Sequence, residues 1–327
     1  MPATTRLLDG LLAAIRAESG CADATWARAP RRIEGGTWAD IFEFRLLTAP
    51  SLEGHLVARI LPDPASFERE MLIQSYVAKA GSLAPVIHLG APPTSVFDRA
   101  WILMDFAEGE TPLAKVTPAA VMRALIFGLR DSGAHVARTM VAIHRLDASP
   151  IAAALSYPRV VGPLLDWLYS RASALGDRAL VEGVQRLLST RPAFTGAVLC
   201  HGDLHPLNII RNPDGDVVVD WTHAQYDDPL YDVAFSHFAM TIIPAPAPAF
   251  ARPLIAAKGR RLAHRFLAEY ERLTSTTVDR ERLAWFTRLT ALRIRIEAAE
   301  WAAANPGGDP RTNAGQMYLP FLPHYGL

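Results

Sequence analysis

The spacing of apolar positions changes along the chain near residue 105. Before that point the period is two. In IFEFRLL, Phe42, Phe44 and Leu46 share one face, and in HLVARIL, Leu56, Ala58 and Ile60 lie opposite Val57 and Arg59, so both segments are predicted strands. RAWILMDF reads as a buried strand that ends in the loop AEGETP, where Gly109 and Pro112 break regular structure. Between the strands, DPASFEREMLIQSYVAK has helical spacing, with Asp63 or Ser66 as caps and Phe67, Met71 and Tyr76 inward. Beyond residue 105 the period lengthens to that of helices in GAHVARTMVAIHRLD, GPLLDWLYSRAS and RALVEGVQRLLS. It does so again in AAKGRRLAHRFLAEYERL and RERLAWFTRLTALRIRIEAAEWAAA. The expected architecture is α+β, with a small mixed β-sheet lobe over residues 1–105 and a larger, mainly helical lobe over residues 106–327.

Composition narrows the class. With 327 residues, 50% of them hydrophobic and 20% charged, the chain can build two cores and does not resemble a disordered one. Lys+Arg and Asp+Glu both number 33 and no basic block occurs, so a broad nucleic-acid surface is not expected. Cys21 and Cys200 are the only cysteines, too few for a disulfide framework or a thiolate zinc site, which suits a reducing compartment. Leu7, Leu8, Leu11, Leu12 and Ile15 are interrupted by Asp9 and Arg16, giving an amphipathic helix and not a signal-peptide core. Pro244, Pro246 and Pro248 stop the other apolar run short of the about 20 residues that a spanning helix needs. A cytoplasmic protein with no membrane partner is expected.

One stretch concentrates polar groups among apolar runs: VLCHGDLHPLNIIRNPDGDVVVDWTHAQYDDPLYDVAF, Val198 to Phe235. NIIR and DVVVD flank the turn sequence NPDG, which predicts a hairpin. Pairing Arg211 with Asp216 brings Asn208 to the hairpin's open end beside Asp220. An amide oxygen next to a carboxylate is a hard-oxygen pair suited to Mg²⁺, which takes few protein carboxylates and completes its shell with phosphate oxygens and water. Asp203, on the loop entering the hairpin, is placed to orient a hydroxyl nucleophile and not to hold the metal.

HGDLHPLN followed by VVVDW and DDPLYDVA resembles the signature of the aminoglycoside phosphotransferase family, the small-molecule branch of the protein-kinase-like fold that includes the choline kinases. The resemblance implies ATP and Mg²⁺ as cofactors and a small-molecule hydroxyl as acceptor. It implies Asp203 as catalytic aspartate, Asn208 and Asp220 as metal ligands, Asp232 as a buried brace for the catalytic loop, and His201 as a structural residue of that loop. Upstream, Gly35, Gly36 and Thr37 resemble the glycine turn over the nucleotide phosphates. Arg59 stands where this fold carries a strand lysine, and Glu70 stands where its helix partner would be. An arginine keeps the positive charge and can fork two oxygens, but with a different reach. ILMDFAEG resembles the hinge, in which backbone groups from Asp105 to Ala107 would meet the adenine edge and Met104 would shape the pocket. The acceptor would enter between the catalytic loop and the helical lobe, where Asp227, Glu297 and Glu300 are candidates to anchor a cationic acceptor.

Plainer readings accompany these. Asp203 and Asp220 are also good turn and cap residues, Arg59 and Glu70 could form a solvated salt bridge, and the two glutamates could lie on a solvated helix face. His144 reads as a packed helix histidine and Cys200 as a small buried hydrophobe. Two other functional classes compete: a catalytically silent nucleotide-binding pseudokinase, and a metal-dependent hydrolase using His201, Asp203 and His205. Asn208 and the Asp-Trp pair are unexplained by the hydrolase. Only eight residues separate Asp220 from Pro229, too few for the long segment on which protein kinases dock a peptide, so a small acceptor is expected.

Overall fold

The computed structural model describes residues 3–33, 39–61, 64–81, 83–109, 131–154, 161–242, 252–309 and 313–325. Its packing divides the chain into two compact units, one of residues 1–109 with 210–222 and the other of residues 110–209 with 223–327. The first carries a small antiparallel sheet and the second is largely helical, so the α+β architecture expected from the change of period is present.

In the first unit, helix α1 (Ala3–Ser19) precedes two short strands, β1 (Thr25–Trp26) and β2 (Arg31–Arg32). The segment IFEFRLL divides at Arg45 into β3 (Asp40–Phe44) and β4 (Leu46–Leu47), because β4 leaves the main sheet to pair with β1. With β5 (Leu56–Ile60), β6 (Ile87–Ala91) and β7 (Trp101–Asp105), the main sheet has the order β2-β3-β5-β7-β6. Strand β5 is central, with Arg59 opposite Ile41 on one side and Ile102 on the other. Leu11, Ile15, Phe42, Phe44, Leu56, Ile60 and Trp101 form the core under one face. Each such side chain fully withdrawn from water contributes about 1.5–3 kcal/mol.

Helix α2 (Phe67–Gly81) follows a short 3-10 turn, Pro64–Ser66. Its buried residues are Phe67, Glu70, Ile73, Gln74 and Val77, and Met71 packs, partly buried, against the core that includes Phe67, so the expected inward face carries two polar residues as well. Both have partners: Gln74 donates to the Pro85 carbonyl at 3.1 Å, and Glu70 meets Arg59.

The predicted hairpin forms between β9 (Ile209–Asn212) and β10 (Gly215–Val218). Residues 210–222 belong to the first unit, where Val218 donates to the Leu83 carbonyl at 2.7 Å and Asn212 Nδ2 to the Glu108 carbonyl at 3.3 Å. Gly109, at φ 140°, lets the chain pass so close to the Arg211 backbone that a Cβ would collide with it.

The second unit begins, among its described residues, with α3 (Ser132–His144), α4 (Ser149–Ala154), α5 (Val161–Ala174) and α6 (Arg178–Ser189). Strands β8 (Val198–Cys200) and β11 (Gln225–Asp227) pair antiparallel, with Cys200 opposite Gln225 and Val198 opposite Asp227. Helices α7 (Leu230–Thr241), α8 (Arg252–Thr274), α9 (Arg280–Ala304) and α10 (Ala314–Tyr318) complete it. Helix α7 packs on both α8 and α9, and α3 lies against α8. Carboxylates start two helices: Asp177 accepts from the N–H groups of Ala179 and Leu180, and Asp279 from those of Glu281 and Arg282. No described helix is long and apolar enough to cross a membrane.

Candidate active site

In the first unit the charged residues singled out in the sequence converge on Arg59. Its side chain is 7% exposed, and its guanidinium bonds Glu70 Oε1 through Nη1 and reaches Asp220 Oδ1 through Nη2 at 2.8 Å. The same Nη2 bonds Thr222 Oγ1, and Thr222 in turn donates to Asp220 Oδ1 at 2.7 Å. Arg69 donates to the Thr222 carbonyl at 3.0 Å, so two arginines hold the segment Asp220–Thr222. Asp220 sits at φ 66°, an uncommon backbone state for a residue other than glycine, asparagine or aspartate. The solvated salt bridge considered for Arg59 and Glu70 is therefore a buried one. Burial pushes the Glu70 carboxyl up and the Arg59 charge opposes that shift, while the Asp220 charge adds to it.

Met104 is buried on β7, where its sulfur accepts from Gln74 Nε2 at 3.4 Å. Asp105 follows with its side chain about half exposed and 2.6 Å from His88 Nε2. The Asp105 N–H bonds the Val86 carbonyl and the Phe106 N–H bonds the His55 carbonyl, and the Phe106 ring stacks on His55 at 4.0 Å. These bonds set the path of the chain into Ala107. Gly35, Gly36 and Thr37 lie outside the described residues.

In the second unit the loop leaving β8 is held from several directions. His201 is fully buried, and Asp232, at the start of α7, accepts from the N–H of His201 at 2.8 Å and from that of Gly202 at 2.5 Å. His144 Nε2 lies 3.2 Å from the same carboxylate, and His144 Nδ1 lies 3.2 Å from the Tyr270 hydroxyl. Burial works against the Asp232 charge, but the His144 bond, the neighbouring histidines and the Gly202 N–H outweigh it, and the carboxyl lies below its ordinary range. Gly202 has φ 77°, and a Cβ there would strike the His223 carbonyl and the Tyr231 ring, so only glycine fits the turn.

Asp203 emerges from that turn with its side chain 23% exposed. Its N–H donates to His201 Nδ1 at 3.2 Å. Asn208 Nδ2 donates to the Asp203 carbonyl at 3.0 Å and to its Oδ2 at 3.2 Å. With its nitrogen committed to Asp203, the Asn208 amide has its oxygen left as the group that could meet a hard cation. His205 Nδ1 accepts from Leu207 N, which leaves Nε2 facing the Asp203 carboxylate at 3.9 Å. The Asn208 amide oxygen and, in the first unit, the Asp220 carboxylate are each hard oxygens of the kind Mg²⁺ takes.

The residues expected to meet the acceptor are placed differently from one another. Asp227 is 1% exposed on β11, where its carboxylate accepts from Gln225 Nε2 at 3.3 Å and from Asp228 N at 2.7 Å. Glu297 is buried on α9, 3.9 Å from Arg293 Nε, and burial pushes its carboxyl up against the pull of Arg293 and Arg171. Glu300 is 30% exposed and bonded by Arg171 through both Nε and Nη2. Neither glutamate lies on a freely solvated face. Three groups in these networks, Thr222, Tyr231 and Arg293, were not singled out by the sequence reading. Thr222 could have been found from its place two residues after Asp220, whereas Arg293 has no local motif to mark it.

Among the described residues, the His, Cys and acidic side chains close enough to share an ion are His144, Cys200 and Asp232, and not His201, Asp203 and His205. Burial and three nearby aspartates push the Cys200 thiol well up, and its one S–H has the Val198, Asp227 and Asp228 carbonyls within 3.6–3.8 Å as acceptors. A protonated thiol is a poor metal ligand. This cluster is thus a structural support of the loop.

The fold is that of the protein-kinase-like enzymes. The chain belongs to the Phosphotransferase enzyme family, whose sequence model matches residues 31–286. Among solved structures, a choline/ethanolamine kinase family protein from Mesorhizobium loti is 16% identical, with a TM-score of 0.58 over 98% of this chain and 94% of that one. The ethanolamine kinase of Plasmodium vivax is 13% identical, with a TM-score of 0.61 over 93% of this chain and 84% of that one. A thermostable aminoglycoside phosphotransferase, solved as a ternary complex with AMP-PNP and hygromycin B, is 16% identical, with a TM-score of 0.55 over 95% and 97% of the two chains. A search of curated proteins found no sequence match.

Proposed function

We propose that the protein transfers the γ-phosphoryl group of ATP to a hydroxyl of a small molecule. In this reading the acceptor oxygen forms the new P–O bond, the bond to the ADP oxygen breaks, and the acceptor proton passes to Asp203. The observation that carries it is the fixed carboxylate of Asp203. It is partly exposed, follows a turn that only glycine can make, and is hydrogen-bonded by Asn208 in a loop that Asp232 holds by two backbone N–H groups.

Residues 1–105 form the nucleotide-binding portion and residues 106–327 the catalytic and acceptor-binding portion, with the hairpin bringing Asp220 to the first. Asn208 and Asp220 would hold Mg²⁺, which would supply positive charge against the phosphate oxygens. Arg59, kept in place by Glu70, presents its cation to the nucleotide phosphates. Met104 and the backbone from Asp105 to Ala107 receive the adenine. Of the three acceptor candidates, Glu300 alone keeps substantial exposure. Each of its oxygens has a second lone pair beyond the Arg171 bond, so it is the group that anchors a cationic acceptor. The AMP-PNP and hygromycin B complex of a structural neighbour supports ATP and a small hydroxylated acceptor.

The test is a panel of amino alcohols, sugars and aminoglycosides incubated with protein, ATP and Mg²⁺, read by ADP release and by the mass of a phosphorylated product. A product heavier by one phosphoryl group, formed with Mg²⁺ and not with EDTA, is expected. ATP binding with no turnover of any hydroxyl compound would favour the silent pseudokinase instead.

A further inference from the structure

Arg293 lies in the middle of α9, beyond the matched residues 31–286, and is buried to 3% exposure. A charge in that position costs several kcal/mol in lost hydration unless its surroundings replace the water. They do so at both terminal nitrogens, while Nε makes no hydrogen bond and faces only the Glu297 charge. Nη1 donates to the Tyr231 hydroxyl at 2.7 Å, and Nη2 to the Gly202 carbonyl at 3.2 Å. Glu297 lies 3.9 Å from Nε, and the Phe235 and Tyr231 rings face the guanidinium at 5.4 and 5.8 Å. The environment favours the charged form despite burial, with Tyr231, Glu297 and Asp203 contributing in that order.

The partners show what the charge is for. Gly202 immediately precedes Asp203, and its two backbone groups are held by opposite charges: the N–H by the Asp232 carboxylate, the C=O by the Arg293 guanidinium. Tyr231 is next to Asp232 on α7, and its ring is one of the two groups that would exclude a side chain at Gly202. The flat fork of Arg293 thus spans from the start of α7 to the loop and sets the distance between them. A lysine could reach one of these acceptors but not both in the same geometry. An apolar residue of similar volume would fill the space without directing the carbonyl.

We propose that Arg293 is a positioning residue for Asp203, clamping the Gly202 carbonyl against α9 while Asp232 clamps the amide, with Glu297 as the counter-ion that keeps the guanidinium in place. The clamp is a property of the loop, and its link to phosphotransfer rests on the function proposed above.

Hydrogen exchange read by mass spectrometry on the full-length chain tests the clamp without any acceptor. In Arg293→Met, amides of the segment 201–203 should exchange about tenfold faster, while those of the pair α5 and α6 stay as in the parent protein. Arg293→Lys should give a smaller acceleration, and it decides the matter if Arg293→Met does not fold. An equal acceleration throughout the chain, or none at 201–203 in Arg293→Lys, would overturn the proposal. With an acceptor in hand, Arg293→Lys should lower kcat about tenfold or more and leave the KM for ATP within about twofold. An unchanged kcat would also overturn it. If no hydroxyl compound is turned over by the parent protein, the phosphotransfer reading fails while the exchange result still stands or falls alone.

Discussion

Arg59 and Asp220 stand 161 positions apart in the chain, yet a guanidinium nitrogen of one lies 2.8 Å from a carboxylate oxygen of the other. The strand cation and the metal-ligand candidate therefore form one network with Glu70 and Thr222, and a change in either partner reaches the rest. Replacing Asp220 by Asn keeps the shape but removes the charge that both Arg59 and a divalent ion would use. Asp220→Asn is expected to weaken Mg²⁺-ATP binding about tenfold or more, measured by titration calorimetry at several Mg²⁺ concentrations. A metal dependence identical to the parent's would exclude Asp220 as a ligand.

Truncating Arg59 exposes a second consequence of the network. Arg59→Ala leaves Glu70 fully buried without its cation, a change that typically costs about 3–5 kcal/mol, so thermal unfolding should move to lower temperature. It should also raise the KM for ATP, and Arg59→Lys should recover part of that loss. The double variant Arg59→Met with Glu70→Leu separates the two effects. It should restore most of the stability and none of the nucleotide affinity.

Asp203→Asn preserves an oxygen for the Asn208 amide to bond while removing the proton acceptor. The expected outcome is a fall in kcat of about 10²–10⁴-fold with the KM for ATP changed by less than about twofold. A comparable loss of ATP binding would show that Asp203 serves the nucleotide and not the acceptor.

The Asp232 carboxyl is held below its ordinary range, so it contributes stability that is present above the unfolded-state value of about 4 and is lost as pH falls through the lower folded-state value. Urea unfolding between about pH 7 and pH 3 should show the parent protein losing stability on the acid side. Asp232→Asn, less stable at neutral pH, should show a shallower acid limb. Parallel acid limbs in the two proteins would remove Asp232 from the account.

Glu300→Gln keeps the packing of the side chain and removes its charge. If the acceptor is a cation, its KM should rise about three- to tenfold with no change in the KM for ATP, since one exposed ion pair is lost. Indifference of the acceptor KM would return Glu300 to a purely structural partner of Arg171.

Much of this protein is legible in the order of its residues, for reasons that are local. Alternating apolar positions in 41–46 and 56–60 can bury one face only as strands, and the 3.6-residue spacing beyond residue 130 can do so only as helices. NPDG turns the chain tightly enough to make a hairpin, and HGD followed by Asn five residues later is a short motif whose members meet within one loop. Asp203 and Asn208 are found together for that reason.

What only the tertiary structure decided concerns partners brought from far along the chain, because burial and pairing leave no periodic trace in sequence. Glu70 and Gln74 break the apolar face of α2 because Arg59 and the Pro85 carbonyl wait beneath it. Glu297 and Glu300, three residues apart on one helix, face two different arginines, and Asp227 is shut inside the β8–β11 pair. Arg293 reaches Gly202 across 91 positions, and His144 reaches Asp232 across 88. In each case the residue type announces a charge or a hydrogen-bonding group. Its partner is chosen by which helices pack together, since withdrawing a polar group from water is tolerated only where the fold supplies an opposite charge or an acceptor.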